Sequence, residues 1–297
     1  LKNIKTGQVV DETFRSGVKF DIVKIEARDY NYLYNDGSFY TFMDSETYDQ
    51  ISLTKEQIGD NVLDFLIENT KTTIAFDNTD PVEETKYIQE ETDKSGFPMV
   101  AIADASLANI EIEETLERHA SFSCFRGIRD FGGGDPEYLT NNQWKKGYSL
   151  LEKYGPIFCA NILWEDMHKG AALARDFPNI KFIVDHTGFP QERTTEYFEN
   201  WKKSISEISK IENVVIKVSG LGMAEWSWTT DSIRPWVEHC VESFGIDRTI
   251  WGSNWPVDKL FGMYESVIYS YKEIWKNFTD EDRSKMFKDN AEELFNF

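Results

Sequence analysis

The stretch IKFIVDHTGFP, residues 180–190, decides the predicted fold. Its apolar letters FIV lie between a preceding proline and a Gly-Phe-Pro turn, which is typical of a short strand buried on both faces of a parallel sheet. Asp185 and His186 follow this run directly. Because ligands bind at the carboxyl ends of the strands in barrels and open α/β sheets, the polar pair predicts a functional site.

Two later stretches have the same form, an apolar run that ends in polar residues and glycine. Residues 214–220 read VVIKVSG and contain Lys217 and Ser219, and residues 249–256 read TIWGSNWP and contain Asn254. Together, the three strand ends predict one catalytic rim. Each residue alone also has an ordinary structural interpretation, as a satisfied histidine, a solvated lysine or an asparagine that holds a turn.

Composition excludes several classes of function. The 297 residues are 40% hydrophobic and 14% aromatic, which is enough for a substantial core, and the net charge is −20. Binding to DNA or to an anionic membrane needs a basic face, so we expect neither partner. No apolar run approaches the length of a membrane span and no signal peptide is recognisable, which predicts a cytoplasmic location. The three cysteines are widely spaced and lie in apolar runs, which predicts free thiols packed in the core.

From Asp80 onward the chain alternates helical and strand patterns. Pro81 followed by two glutamates predicts a helix start, and buried strands are expected at residues 99–103, 125–129 and 157–163, ahead of the three strands already described. This βα repetition predicts an α/β fold with a parallel sheet.

The motifs DHTGFP, NVVIKVSGLG and GSNWPVD, which begin at residues 185, 213 and 252, resemble the late strands of the amidohydrolase-related TIM-barrel hydrolases, in the branch that contains lactonases. DPVEETKYIQ, FRGIRD and NAEELF extend the resemblance over residues 78–297. It implies an incomplete TIM-type (β/α) barrel that lacks its first strand. It also implies hydrolysis of a lactone, or of a related C–O or C–N bond, in a small organic acid.

Residues 1–77 form a separate region of short strands. The motifs YLYNDG and FMDSETY closely resemble elongation factor P, at the end of its first domain and in its OB-fold domain, and the Asn-Asp-Gly sequence predicts a hairpin turn. The resemblance implies a small all-β OB-fold domain and a translation factor that contacts the ribosome. The region carries 8 Lys and Arg against 14 Asp and Glu, a net charge of −6, which argues against RNA binding by this region alone. Both family patterns claim the strand at residues 72–76, and the sequence leaves its assignment open.

The hydrolase resemblance implies three catalytic candidates. His186 would act as a general acid or donate a hydrogen bond to a carbonyl. Asn254 stands where much of the family has an aspartate as general base, in the pattern GSDWP, and an amide cannot take a proton from water. Asp258, four residues on, is a substitute base or the cap of a following helix.

Five residues are candidates for substrate binding: Arg126, Arg129, Trp164, Lys217 and Ser219. Arg129 could hold a carboxylate through two parallel hydrogen bonds. Arg126 is three residues away on the same strand, so the two arginines should not both face the pocket. Asp185 points away from His186, and its ordinary structural role would be to anchor neighbouring backbone.

We predict no metal and no other cofactor. In the family, a His-x-His pair on the first strand binds metal or substrate, whereas the four histidines of this sequence include no such pair. A zinc site needs three or four ligands, which His186 alone cannot supply.

Two alternatives stay open. The chain could act as a fragment of an elongation factor P-type translation factor that contacts the ribosome through residues 1–77, or it could be an inactive fusion of two partial genes. A homo-oligomer is also open, because a barrel without its first strand exposes unpaired strand edges.

Overall fold

The computed structural model describes residues 25–35, 37, 39–44, 50–58, 60–63, 66–68, 70–77 and 80–297. Residues 1–24 of the predicted elongation factor region, and part of its FMDSETY motif, lie outside the described residues. The chain divides into two compact units, Leu1–Asp80 and Pro81–Phe297.

The first unit contains a four-stranded sheet in the order β3-β2-β1-β4, and every pairing in it is antiparallel. Asn35 of β1 pairs with Tyr40 of β2, which confirms the predicted hairpin. Gly37 in this turn has φ +102°, a value that glycine adopts at low energetic cost, and its N–H donates to Asn35 Oδ1 at 2.7 Å. The strands are β1 (Ile25–Asn35), β2 (Tyr40–Asp44), β3 (Gln50–Leu53) and β4 (Lys71–Asp77), with short helices α1 (Lys55–Ile58) and α2 (Asp60–Leu63).

Strand β4 contains the segment that both family patterns claim. It pairs antiparallel with β1 over seven residues, from Ile25 opposite Asp77 to Asn31 opposite Lys71. The structure therefore assigns this segment to the first unit. The core of the unit is an aromatic cluster of Tyr30, Tyr32 and Phe42.

The second unit contains a six-stranded parallel sheet in the order β10-β9-β8-β7-β6-β5, so strands that follow one another in the chain are neighbours. Helices connect them, as the βα pattern predicts. The strands are β5 (Ala101–Asp104), β6 (Phe125–Arg129), β7 (Ile157–Ala160), β8 (Lys181–Val184), β9 (Val214–Val218) and β10 (Thr249–Trp251).

Local sequence signals begin several of the helices. The first starts at Pro81 with two glutamates in its first turn, as predicted, and α10 starts with a capping box in which Thr229 and Ser232 satisfy each other's backbone N–H. The helices are α3 (Pro81–Ser95), α4 (Ile112–Ala120), α5 (Asn142–Ser149), α6 (Leu151–Tyr154), α7 (Met167–Asp176), α8 (Thr195–Ile208), α9 (Leu221–Ala224), α10 (Thr230–Phe244), α11 (Tyr264–Ile274), α12 (Asp280–Ser284) and α13 (Asn290–Phe295).

The two faces of the parallel sheet bury different sets of side chains, because successive residues of a strand point to opposite sides. One face packs on the connecting helices and forms the main core. The other, which we call the inner face, consists of Ile157, Cys159, Ile183, Val215 and Ile250, and residues of α13 pack against it.

This architecture is the predicted one, an incomplete TIM-type (β/α) barrel that follows a small all-β, OB-like unit. The three cysteines, Cys124, Cys159 and Cys240, are buried and free, as expected. Among the described residues, no helix is both long enough and apolar enough to cross a membrane.

Candidate active site

The C-terminal ends of β5–β10 form one edge of the parallel sheet, which we call the carboxyl edge. At this edge the apolar residues of the inner face are followed by polar side chains. Inner-face positions recur every second residue. Asp185 is therefore the inner-face position after Ile183, and Lys217 is the inner-face position after Val215. Arg129 lies on the same side, because the residue before it, Ile128, packs in the main core.

Asp185 joins three of these strands. Its side chain is fully buried, Arg129 Nη2 donates to one carboxylate oxygen, and Lys217 Nζ lies 2.5 Å from the other. A buried carboxylate is tolerated only when it is paired in this way. Two cationic side chains thus share one buried carboxylate.

His186 occupies the turn that follows β8. His186 and Thr187 have φ angles of 53° and 60°, in the left-handed region that residues with a side chain rarely adopt. The turn is held by Thr187, whose hydroxyl donates to the Ser219 carbonyl oxygen at 3.1 Å and accepts from the Ser219 N–H at 3.2 Å. Strained backbone that neighbouring structure holds in place is typical of functional sites.

The imidazole of His186 lies against the end of β9. Its Nδ1 is 3.1 Å from Ser219 Oγ, and a Cβ placed on Gly220 would lie only 2.7 Å from the same nitrogen. Glycine at position 220, with φ +65°, therefore leaves room for the ring. The structure brings together His186 and Ser219, as the sequence predicts.

Burial, with a smaller effect of the charges of Lys217 and Arg129 and against the opposing effect of Asp185, lowers the pKa of His186 to about 4. The imidazole is therefore neutral at pH 7. A neutral imidazole donates one hydrogen bond and accepts another, so a role as hydrogen-bond donor fits this site better than that of a charged general acid.

Asn254 and Asp258 bind each other at the end of β10. The Asn254 amide donates to Asp258 Oδ1 at 2.7 Å, and Asn254 has φ +55°. Asp258 is only 4% exposed, and this burial raises its pKa while the hydrogen bond from Asn254 lowers it. Asp258 therefore stabilises the turn of Asn254. The backbone of β10 lies near the cluster, since a Cβ on Gly252 would be 3.3 Å from Cδ of Lys217.

Two predicted substrate-binding residues lie elsewhere. The guanidinium of Arg126 donates to the backbone carbonyl oxygens of Phe295 and Asn296, so it secures the end of α13 and does not reach the carboxyl edge. The reason is that Arg126 stands near the start of β6 and Arg129 at its end. Trp164 packs edge-on against Tyr197 and lines a cavity between α7 and α8, apart from the Asp185 cluster.

From the sequence, Asp185 belongs to the polar pair that predicts a functional site but has no catalytic or binding role assigned to it, and Asp104 is not singled out. Asp185 does point away from His186, as expected, but this direction leads to the shared inner face and not to neighbouring backbone. The signal was present in the alternation of the strands, since Asp185 and Lys217 each lie two residues beyond an apolar inner-face residue.

The donor set at this edge does not fit a metal ion. Among the described residues, no group of three or more His, Cys, Asp or Glu side chains is arranged to hold one. Asp185 is already neutralised by two cations, and one imidazole with a neighbouring hydroxyl falls short of the three or four ligands that zinc needs.

Comparison with known proteins agrees with this architecture. The amidohydrolase family model matches residues 82–297, and the model of the elongation factor P OB domain matches residues 25–84. The uncharacterized protein y4mH of Sinorhizobium fredii is 32% identical over 282 residues, which cover 92% of this chain and 95% of that protein. Elongation factor P of Frankia casuarinae is 45% identical over 82 residues, 28% of this chain, so the chain spans less than half the length of that relative (43%).

Two solved structures share the fold of the second unit at low sequence identity. An amidohydrolase from Burkholderia multivorans with bound HEPES superposes with a TM-score of 0.66 at 19% identity, covering 72% of this chain and 79% of that one. A putative 2-pyrone-4,6-dicarboxylic acid hydrolase from Pseudomonas putida gives a TM-score of 0.56 at 20% identity, covering 72% and 77%. Because the family model matches more than half of its residues, the chain belongs to the amidohydrolase family, and its N-terminal unit carries an elongation factor P OB domain.

Proposed function

We propose that the second unit is a hydrolase that opens a lactone, or cleaves a related C–O or C–N bond, in a small organic acid. The observation that carries this proposal is the cluster of Arg129, Asp185 and Lys217 next to the neutral imidazole of His186.

The cluster suits a substrate that carries a carboxylate. The side chains of Arg129 and Lys217 are 33% and 20% exposed, so both can be reached from solvent although Asp185 cannot. Arg129 donates to Asp185 through Nη2, which is one nitrogen of a guanidinium with five N–H donors in all. Guanidinium groups bind carboxylates through paired hydrogen bonds, so this donor set fits an organic acid.

His186 suits the carbonyl that is attacked. When Ser219 donates its hydroxyl proton to Nδ1, the imidazole carries its own proton on Nε2 and can donate it to a carbonyl oxygen. Negative charge that develops on that oxygen would be stabilised by this donor and by the cations of the cluster, which is how preorganised donors lower a reaction barrier.

Named neighbours suggest which compounds to test first. The structure from Pseudomonas putida and a second from Acinetobacter baumannii, with a TM-score of 0.57, are both described as 2-pyrone-4,6-dicarboxylic acid hydrolases. The panel should therefore contain pyrone dicarboxylates together with sugar-acid lactones.

The test measures acid release from this panel by the purified chain, with a chelator and with added zinc, because the Burkholderia multivorans amidohydrolase was also solved with bound zinc. We expect turnover that added zinc does not change. His186→Ala should lower kcat/KM by about 10²–10⁴-fold. His168→Ala, at an exposed histidine of α7, is the matched control and should leave kcat/KM unchanged. Absence of turnover on the whole panel would favour an inactive fusion, and an active His186→Ala variant would remove His186 from the mechanism.

A second candidate function concerns the first unit alone. Its match to the elongation factor P OB domain supports a proposal that it contacts the ribosome. Co-sedimentation of the chain with ribosomes, retained after deletion of the residues that follow Asn78, would support this proposal. The net charge of −6 on residues 1–77 works against such contact, and binding that requires the second unit would contradict it.

A further inference from the structure

Asp104, the last residue of β5, faces the inner side of the parallel sheet. Its neighbour Ala103 packs in the main core, whereas Ile102 packs against the inner-face cluster. Because side chains alternate along a strand, Asp104 shares the side of Ile102. It is thus a carboxylate at the carboxyl edge, on the same face as Arg129, Asp185 and Lys217.

The pairing of β5 with β6 places Asp104 next to Arg129. The two residues are partners in the parallel register, so their backbones lie about 4.8 Å apart across the strands. Arg129 in turn binds Asp185. Asp104 therefore borders the group that would hold the substrate in the proposed function.

Unlike the other carboxylates near this edge, Asp104 has a side chain that is available to bind a water molecule. It is exposed, and no hydrogen bond or salt bridge joins it to any other described residue. Asp185 is held by two cations and Asp258 by the Asn254 amide. Asp130 accepts hydrogen bonds from the Leu107 N–H, the Gly132 N–H and the Trp144 indole, which commits it to the adjoining loop.

The environment of Asp104 also favours proton transfer. Partial burial raises its pKa, the nearby charge of Asp130 raises it further, and Arg129 opposes both. A carboxylate with a raised pKa is a stronger base, closer to the range in which general bases work at neutral pH.

We infer that Asp104 is the general base of the hydrolysis, an inference that rests on the proposed function. The Asp104 carboxylate takes one proton from a water molecule while the water oxygen forms a bond to the carbonyl carbon. The carbonyl electron pair moves onto its oxygen, which His186 stabilises. The tetrahedral intermediate then collapses, the ring C–O bond breaks, and the leaving alkoxide takes the proton back from Asp104. The products are the ring-opened hydroxy acid and an Asp104 carboxylate ready for the next cycle.

This assignment accounts for Asn254. An amide cannot accept a proton from water, so the last strand does not supply the base in this chain. Asp104 supplies the general base from β5, the outermost strand on the other side of the described sheet from β10.

The test compares Asp104→Asn with wild type on a lactone that wild type hydrolyses. We expect kcat to fall by about 10²–10⁴-fold with KM changed less than about threefold, and the acidic limb of the pH–rate profile to disappear. Asp104→Ala should lose activity likewise and regain part of it when formate supplies an external base. Asp176→Asn, at an exposed aspartate on α7, is the control and should keep the wild-type profile. Circular dichroism and thermal melts of each variant establish that it folds.

The outcomes separate this inference from the function on which it rests. Wild-type turnover with an Asp104→Asn variant that keeps its rate and acidic limb would overturn the inference and leave the hydrolase proposal standing. The same holds if Asp258→Asn, and not Asp104→Asn, removes the acidic limb. No turnover by wild type on any lactone would overturn both.

Discussion

The two units of this chain differ in where their strands end. In the first unit the strands are antiparallel, so their carboxyl ends alternate between the two edges of the sheet. In the second unit all six strands are parallel, and their carboxyl ends share one edge. Residues at the ends of β6, β8 and β9 therefore meet at a single rim, with a fully buried carboxylate at the centre. The difference shows why the candidate chemistry lies in the second unit.

The largest expected effect tests the buried carboxylate. Asp185→Ala leaves Arg129 and Lys217 without their partner, and breaking a buried ion pair in this way costs about 3–5 kcal/mol of the free energy of unfolding. All nine tryptophans lie beyond residue 143, so tryptophan fluorescence in a urea titration reports on the second unit alone. Glu207→Ala, which removes an exposed pair with Lys210, is the control and should leave the midpoint nearly unchanged. A similarly small effect of Asp185→Ala would show that the cluster does not stabilise this unit.

The next largest effect is expected in how the stability of the second unit depends on pH. The folded-state pKa of His186, about 4, lies below its ordinary value of 6.5, so the unfolded chain binds the additional proton between these two values. Stability of the second unit should therefore decrease as the pH falls from 6.5 to 4, by up to about 3 kcal/mol from this group. His186→Gln should remove that part of the slope in urea titrations at several pH values. An unchanged slope would mean that the imidazole takes up its proton equally in both states.

A smaller effect is expected from replacing Gly220. The question is whether such a change acts through backbone strain alone or also displaces His186. Gly220→Ala and Gly133→Ala both introduce a side chain in the left-handed region, at φ 65° and 61°, which costs about 1–2 kcal/mol. The Cβ at position 133 meets open space, whereas the one at position 220 meets His186 Nδ1 at 2.7 Å. Gly220→Ala should therefore destabilise the second unit more and also reduce hydrolysis, measured by urea titration and lactone assay. Equal effects of the two substitutions would contradict the close approach.

The smallest effect is expected in the first unit. Lys71 Nζ lies 2.7 Å from Asp29 on the neighbouring strand, but both side chains are largely exposed. Water screens such pairs, so Lys71→Met should leave the thermal midpoint of the first unit, followed by the backbone amide signals of its own residues, within experimental error. A large shift would remove the contrast between the surface pair of one unit and the buried cluster of the other.

Much of the second unit could be predicted from its sequence. The apolar runs between turn residues correspond to β8, β9 and β10, and Pro81 begins the first helix. The parallel sheet itself followed from the βα repetition. These predictions succeeded because hydrophobic period and turn residues are local properties of the chain.

Other features needed coordinates. The place of Asp185 between Arg129 and Lys217, and that of Asp104 on the same face, became known only when packing defined the inner face, since no local pattern states which of the two faces of a strand turns toward the helices. Arg126 and Arg129 stand three residues apart on one strand, yet only Arg129 reaches the rim. Residues 71–77 fit the patterns of two families, and the pairing with β1 decided between them.

The sequence by itself determined that a region of antiparallel hairpins precedes a βα-alternating region, and that His186 ends one of its buried strands. Only the tertiary structure decided that Arg129 and Lys217 converge on Asp185, that Asp258 is committed to Asn254, and that Asp104 stands beside Arg129. The physical reason is that a strand's period is set by its own residues, whereas contacts between strands depend on register and on the face that each strand buries.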